Sequence, residues 1–312
     1  MRGFHGKWKS ARPPWRRWRH RPAASIVWRL SCPSPLLVPT LPAGAPGFQW
    51  AMIRLDCAQT GVGMEHFISD GVRIAYRVEG EGPPIVLVHG FASTHAVNWI
   101  EPGWVDGLVK AGREVILFDL RGHGASEKLF DVEAYDRRAM AGDIAALLDH
   151  LGHKCADIMG YSLGAMLILR LARDLPGYCR RVVLAGVGEK LFAPSGQIAP
   201  VRDALLADDP RASKHAVGRA FRAFADKNGQ NRQALAACYS VERDPLTPAD
   251  LAAVEVPVLV VAGERDEIAG DPAPLAAAFA HGEAVAIPKR DHMRTVGDPA
   301  YKKAVLEFLG RG

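Results

Sequence analysis

Apolar runs recur along the chain from residue 72 onward, and their periodicity separates two kinds of strand. Residues 72–78 alternate between apolar and polar side chains, as a strand with one solvent-exposed face does. Later runs of four or five residues are apolar almost without interruption, which is typical of parallel strands buried on both faces. These runs lie at residues 85–88, 115–118, 156–159, 182–185, 257–261 and 284–287.

Segments with helical character separate these runs. Residues 136–151 predict an amphipathic helix that places Met140, Ile144, Leu147, Leu148 and Leu151 on one face. Further helices are predicted over 104–111, from 165 to about 172, and from about 299 to 309. Because strands that alternate with helices form parallel β-α-β units, the pattern predicts an α/β fold with a doubly wound, mostly parallel sheet.

One long segment between two predicted strands lacks any strand pattern. It covers residues 191–250 and has helical stretches at 201–206, 214–225 and 232–240. A helical insertion at the carboxyl edge of a parallel sheet would lie over the crevice where ligands bind. We therefore predict a helical cap over 191–250, inserted in an α/β core formed by residues 64–190 and 251–312.

Composition sets the first 63 residues apart from the rest. The chain of 312 residues is 48% hydrophobic and 23% charged, as ordinary globular proteins are, with a net charge of +5. Residues 1–63 hold ten basic residues and one acid, so the remainder of the chain is net negative. Closely spaced prolines there exclude a regular helix. We interpret 1–63 as a disordered extension, or as sequence upstream of a true start at Met64 or Met52.

Other roles for this extension stay open. Residues 14–21 interleave basic and aromatic side chains, which suits nucleic acid or an anionic membrane, and an arginine-rich targeting peptide is an alternative. Arg29 and the prolines interrupt any apolar stretch long enough to span a membrane. No nucleic-acid partner is expected for the core. The five scattered cysteines suggest reduced thiols and a cytoplasmic location, with no metal site.

The sequence Gly160-Tyr161-Ser162-Leu163-Gly164 joins a predicted strand to a predicted helix. This G-x-S-x-G arrangement is the nucleophile-elbow pattern, in which a sharp turn exposes a serine at the top of the sheet. Glycines at 160 and 164 remove side chains that would collide with the neighbouring backbone. The backbone N–H groups at the start of the following helix can stabilise a developing negative charge.

Further motifs follow other predicted strands. His-Gly-Phe stands at 89–91 and Asp-Leu-Arg-Gly-His-Gly-Ala-Ser at 119–126, and a late acid and histidine come after the last two strands. Together with the elbow, in this order, they make the chain similar to the cap-bearing, serine esterase-like branch of the α/β-hydrolase superfamily over roughly residues 65–310.

The resemblance implies a catalytic triad in the chain order serine, acid, histidine. Ser162 matches the nucleophile, Asp266 the acid and His292 the base, and the last two each follow a predicted strand. Other candidates remain for two of these roles: Glu189, Glu264, Glu267 and Asp291 for the acid, and His89 and His123 for the base.

The same resemblance implies an acyl-transfer mechanism that needs no cofactor. The backbone N–H groups of Phe91 and Leu163 would hold the oxyanion. Family members that open epoxides or displace halides attack with an aspartate at the elbow. Ser162 therefore favours cleavage of a carboxylic ester, and thioester, lactone, amide and carbon–carbon substrates stay open.

The expected partner is a small-molecule acyl substrate. Candidate pocket residues are Tyr161, Phe221, Phe224 and Trp99, with packing in the core as the alternative role of Trp99. The cap is rich in alanine and phenylalanine, which suggests an apolar substrate, although the same residues suit helix packing. A second hypothesis is a small-molecule receptor of this fold with slow or vestigial turnover.

Overall fold

Parallel strands dominate a single sheet in the computed structural model, which describes residues 63–194, 196, 198–242 and 246–311. The strands are β1 (Glu65–Ser69), β2 (Val72–Glu79), β3 (Pro84–Val88), β4 (Glu114–Phe118), β5 (Ala156–Tyr161), β6 (Cys179–Ala185), β7 (Val258–Gly263) and β8 (Gly282–Ile287). Their order is β1-β2-β4-β3-β5-β6-β7-β8. β2 pairs antiparallel with both β1 and β4, and the other pairs are parallel. The predicted fold class is confirmed.

Helices connect the strands within these ranges. They are α1 (Trp104–Lys110), α2 (Arg137–Leu151), α3 (Leu163–Asp174), α4 (Ile198–Leu206), α5 (Ala216–Lys227), α6 (Arg232–Tyr239), α7 (Pro248–Ala252), α8 (Pro272–Ala276) and α9 (Pro299–Leu309). No helix in the described part of the chain has the length and apolar character that crossing a membrane requires. The predicted extension, residues 1–63, lies outside the described residues apart from Gly63.

The central strands bury both of their faces, as their uninterrupted apolar runs predict. Because side chains alternate along a strand, Ile85 and Leu87 of β3 face one core while Val86 and Val88 face the other. α1 and α9 cover the first face, and α2 and α3 cover the second. Because these strands are parallel, their carboxyl ends meet at one edge of the sheet, where the motif-bearing loops lie.

The segment between β6 and β7 is helical, and it contains α4 to α7. The three predicted helical stretches correspond to α4, α5 and α6. Gln230, in the turn after α5, accepts a hydrogen bond from the N–H of Gly124 at 3.0 Å, and Arg137 of α2 donates to the carbonyl of Cys238 in α6 at 3.0 Å. These bonds join the segment to the loop after β4 and to α2. The division into core and cap at 191–250 remains a prediction.

Several short elements are absent from the sequence-based prediction. β1 buries only Phe67 and Ser69, and it leaves Ile68 65% exposed at the sheet edge, so its apolar signal is weak. α7 and α8 have five residues each, too few to show a helical period. Residues Ala96–Ile100 form a π-turn, with the N–H of Glu101 bonded to the carbonyl of Ala96 at 2.9 Å.

A buried ion pair holds the loop after β4 against α2. The guanidinium of Arg121 donates two hydrogen bonds to the carboxylate of Asp143, at 2.6 and 2.8 Å, and a third to the carbonyl of Ala134 at 2.8 Å. Ser69 of β1 donates to the same carboxylate at 2.6 Å. Arg121 is 2% exposed and Asp143 is fully buried. Neither charge is reached by water, so each depends on the other.

We predict that Asp143→Ala lowers the free energy of unfolding by about 3–5 kcal/mol, because it leaves the Arg121 guanidinium buried without its counter-ion. Urea unfolding measured by circular dichroism would show this. The double variant Arg121→Met/Asp143→Leu should be more stable than Asp143→Ala, since it removes both charges. A loss below about 1 kcal/mol in Asp143→Ala would contradict this account.

Candidate active site

Ser162 lies on a strained turn between β5 and α3. Its backbone has φ 52° and ψ −110°, in the region that L-residues rarely adopt. Its N–H donates to the carbonyl of Ala185 at the end of β6, at 2.7 Å. A Cβ at Gly160 would lie 2.6 Å from the carbonyl carbon of Gly164, and a Cβ at Gly164 would overlap the carbonyl oxygen of Val88. Glycine at both positions therefore permits the turn.

Ser162, His292 and Asp266 form one hydrogen-bonded chain. His292 Nε2 lies 3.1 Å from Ser162 Oγ, and His292 Nδ1 lies 2.8 Å from Asp266 Oδ2. Asp266 Oδ1 accepts the backbone N–H groups of Ile268 and Ala269 at 3.0 and 2.9 Å. These bonds fix the carboxylate, which can only accept, so the histidine proton lies on Nδ1. Nε2 is then free to accept the proton of the serine hydroxyl.

The rival acids have other partners or lie elsewhere. Glu264 accepts the N–H of Lys289 at 2.8 Å, and Asp291 accepts the N–H groups of Met293 and Arg294 at 3.1 and 2.9 Å. The side chain of Glu189 lies beside Gly270. Among the described acids, Asp266 is the one whose carboxylate is hydrogen-bonded to the His292 ring.

The two rival histidines support the loop after β3. The N–H of Leu120 donates to His89 Nε2 at 3.0 Å, so the His89 proton is on Nδ1, which donates to the carbonyl of Gly90 at 2.8 Å. In the same way, the N–H of Ala92 donates to His123 Nε2 at 3.1 Å, and His123 Nδ1 donates to the carbonyl of Arg121 at 3.0 Å. Each ring uses both nitrogens to hold backbone.

Burial keeps these two histidines neutral. It lowers the pKa of His89 to about 4 and that of His123 to about 3, because a charged imidazole would lose its hydration in the core. Beside them lies the fully enclosed Asp119. Burial alone would raise the pKa of Asp119, but the hydrogen bonds from His95, at 2.8 Å from both its backbone N–H and Nδ1, outweigh burial and hold it well below its usual range.

This network shapes a short loop that faces the serine. Ala92 has φ 59°, and the bond from its N–H to His123 holds that conformation. The N–H groups of Phe91 and Leu163 have no acceptor among the described residues. For Leu163 this follows from its place at the first position of α3, where helical N–H groups lack a partner.

A cleft of about 690 Å³, measured to its open mouth, contains Ser162 and His292. Three of the predicted pocket residues, Tyr161, Phe221 and Phe224, line it. The Phe91 ring contacts Phe221 with 5.2 Å between centroids, so α5 packs over the loop after β3. A smaller cavity of about 310 Å³ also reaches Ser162, from the side of Val187 and Ile268. The serine thus lies where two cavities meet.

The assignment of Trp99 to the pocket is wrong. Its side chain is fully buried in the core on the α1 side of the sheet, and its ring packs edge-to-face on Trp104 at 6.2 Å. The π-turn at Ala96–Ile100 turns Trp99 inward and leaves the neighbouring Asn98 on the cleft. Asn98 was missed, because no periodicity in this stretch shows which residue faces the serine.

Tyr161 does more than line the cleft. Its hydroxyl donates to the carbonyl of His292 at 2.5 Å, and the two rings lie 5.4 Å apart between centroids. Burial holds the pKa of Tyr161 well above its usual range, so the phenol stays a hydrogen-bond donor. The residue before the nucleophile thereby fixes the backbone of the histidine. Within the described ranges, no group of three or more His, Cys, Asp or Glu side chains is arranged to hold a metal ion.

A family model described as the alpha/beta hydrolase fold matches residues 83–234. A solved hydrolase from Pseudomonas aeruginosa PA01 superposes with a TM-score of 0.64 at 28% identity, over 80% of this chain and 98% of that one. The chain has the α/β-hydrolase fold.

Curated relatives of the superfamily differ in how much of their length is matched. The chain is 28% identical over 231 residues to the AB hydrolase superfamily protein YisY of Bacillus subtilis, covering 66% of this chain and 83% of the relative. It is 34% identical over 137 residues to the soluble epoxide hydrolase of Corynebacterium sp. (strain C12), covering 44% of this chain and 46% of the relative. The chain spans less than half the length of the first epoxide hydrolases that it matches.

We predict that the ring signals of His89 and His123 do not titrate between pH 8 and pH 5 in histidine-labelled NMR spectra, because burial keeps both rings neutral. Their ¹⁵N shifts should report a proton on Nδ1. The exposed His66 and His281 serve as internal controls. Titration of either buried ring above pH 5 would contradict the assignment.

The same shifts make stability depend on pH. In the unfolded chain the pKa of both imidazoles is about 6.5. In the folded chain the pKa is about 4 for His89 and about 3 for His123, so each ring binds its proton only at lower pH. The unfolded state therefore takes up protons first, and stability declines as the pH falls from about 6.5 towards 4.

Proposed function

We propose that this protein is a serine hydrolase that cleaves a carboxylic ester through an acyl-enzyme intermediate. The observation that carries the proposal is the contact of His292 with Ser162 on one ring nitrogen and with Asp266 on the other, at 3.1 and 2.8 Å. This is the arrangement that activates a serine hydroxyl, because the base is held in the tautomer that accepts its proton.

In the first half of the reaction, Ser162 Oγ attacks the acyl carbonyl while His292 Nε2 takes the hydroxyl proton. Asp266 stabilises the imidazolium. The tetrahedral intermediate collapses, the alcohol leaves with the proton from His292, and the acyl group stays on Ser162. In the second half, His292 takes a proton from water, which attacks the acyl ester and releases the acid. No step requires a cofactor.

The oxyanion is assigned to the N–H groups of Phe91 and Leu163. Both are without an acceptor among the described residues, and Leu163 begins α3, where the helix dipole favours negative charge. The buried histidines behind the loop hold Ala92 and Gly90 in place. Donors that are fixed before the reaction need no reorganisation when charge develops, and such donors contribute strongly to catalysis.

The elbow residue supports ester cleavage over epoxide opening, although epoxide hydrolases are among the relatives. A nucleophile that attacks an epoxide carbon in this family is an aspartate, and here the position is Ser162. A serine hydroxyl activated by histidine suits an acyl carbon instead. The proposed partner is a small-molecule ester, and the two cavities that meet at Ser162 offer separate space for its acyl and alcohol portions.

Phenylalanine and aliphatic side chains dominate the larger cleft, so we propose an apolar group for the portion of the substrate that binds there. Phe91, Phe221 and Phe224 contribute rings, and Val97 and Val296 contribute methyl groups. Burial of such a group is favourable by about 25 cal/mol per Å² of apolar surface. This supports esters of medium chain length over acetates.

We predict that Ser162→Ala abolishes covalent labelling by a fluorophosphonate probe and lowers kcat/KM for p-nitrophenyl esters by roughly 10³-fold or more, because the nucleophile is gone. Labelling followed by gel fluorescence and a spectrophotometric assay would measure both. Labelling that persists in Ser162→Ala, or a folded wild type that neither labels nor turns over, would overturn the proposal.

Matched amide variants at Asp266 and at Glu264 distinguish the roles of these two acids. Asp266→Asn should lower kcat by roughly 10³- to 10⁴-fold, since the amide no longer stabilises the imidazolium. Glu264→Gln, whose carboxylate instead binds the N–H of Lys289, should keep most of the wild-type kcat. Equal losses in the two variants would contradict the role of Asp266.

A further inference from the structure

Asn98 is buried in the wall of the cleft, next to the proposed oxyanion loop. The residue is 6% exposed, and its Oδ1 accepts the N–H of Gly90 at 3.1 Å. That bond fixes the orientation of the amide, because only the oxygen can accept from a backbone N–H. The NH₂ group must therefore point the other way.

The π-turn is the reason that Asn98 reaches the cleft. The N–H of Asn98 donates to the carbonyl of Thr94 at 3.0 Å, and the N–H of Val97 donates to Thr94 Oγ1 at 3.2 Å. In this wider turn, Val97 and Asn98 both line the cleft, while the next residue, Trp99, packs in the core. π-turns are rare and are frequently found at functional sites.

The Asn98 amide nitrogen has no hydrogen-bond partner among the described residues, and the residue lines the cleft. A second polar group of the same loop is also without a partner. Ser93 is 3% exposed and lines the cleft, and its Oγ is a buried atom that forms no hydrogen bond with any of the described residues. A buried hydroxyl left unpaired costs free energy, and native structures retain few such groups.

These two groups are the polar exception in an otherwise apolar wall. Beyond the proposed catalytic residues and the hydroxyl of Tyr161, which is bonded to His292, the cleft is lined by glycine, aromatic and aliphatic side chains and Met293. Among the described residues, no lysine or arginine lines it, so these residues offer no permanent positive charge to a carboxylate or phosphate. An amide NH₂ and a hydroxyl in such a place match a neutral oxygen acceptor.

We propose that Asn98 Nδ2, with Ser93 Oγ, binds a neutral oxygen atom of the substrate, so that the enzyme selects apolar esters bearing a carbonyl or ether oxygen away from the scissile bond. The inference rests on the proposed ester hydrolysis and names its substrate class more closely. A substrate that lacks this oxygen leaves both groups unpaired when it fills the cleft, and sites of this kind discriminate against such analogues.

The test compares matched esters that differ by one oxygen. In the acyl series, p-nitrophenyl 5-oxohexanoate is compared with p-nitrophenyl hexanoate, and in the alcohol series, 2-methoxyethyl acetate is compared with butyl acetate. The ratio of kcat/KM within a pair cancels effects common to both esters. We expect the wild type to favour the oxygenated ester in one series, which also shows which portion occupies the cleft.

Asn98→Asp keeps an oxygen for the N–H of Gly90 and replaces the donating NH₂ by an acceptor at neutral pH. It should lower the wild-type preference by about 3- to 10-fold, as loss of one hydrogen bond does. Ser93→Ala, which removes an unpaired hydroxyl and should fold, is expected to lower it as well. Thr94→Ala perturbs the same turn without removing a donor from the cleft, so it should change both esters of a pair alike.

An unchanged ratio in Asn98→Asp and Ser93→Ala, or a wild type with no preference in either series, would overturn the inference while Ser162-dependent hydrolysis stands. Hydrolysis that survives in Ser162→Ala would instead overturn the proposed function. The two failures are therefore distinguishable in the same set of assays.

Discussion

The left-handed backbone of Ser162 is the constraint on which the rest of the site depends. A φ of 52° at a non-glycine residue is tolerated because β5, the N–H bond to Ala185 and the start of α3 hold the turn from both sides. The turn also requires that no Cβ stands at Gly160 or Gly164, where it would meet backbone atoms. The strain exposes the hydroxyl at the carboxyl edge of the sheet, within reach of a histidine carried by a different strand end.

Around this turn, the buried side chains of His89, His123 and Asp119 hold the backbone in position and are not among the residues that line the cleft. Both ring nitrogens of His89 and of His123 form hydrogen bonds with main-chain atoms. Asp119 joins the loops after β3 and β4, because its carboxylate accepts hydrogen bonds from His95 and from the N–H of Ala125. Such a network is costly unless every member is satisfied, and here those contacts are made. Its consequence is a fixed loop that carries the N–H of Phe91, which has no acceptor among the described residues.

Much of this could be predicted from the sequence. Parallel strands that are buried on both faces show up as uninterrupted apolar runs, and the two elbow glycines are required by a local steric clash with the backbone. The strand ends also bring Ser162, Asp266 and His292 to one edge, which follows from topology alone. The edge strand β1 and the π-turn could not be predicted. β1 is a strand because it pairs with β2, and its own sequence has few apolar residues. In the π-turn, tertiary packing buries Trp99 in the core and leaves Asn98 on the cleft.

Trapping the acyl-enzyme tests the central claim most directly. A p-nitrophenyl ester mixed with the enzyme and quenched in acid within the first turnover should leave an acyl group on the enzyme, and peptide mass spectrometry should find it on Ser162. We expect this adduct in the wild type and its absence in Ser162→Ala. An adduct on another residue, or steady turnover by an enzyme that never carries an acyl group in any early quench, would contradict it.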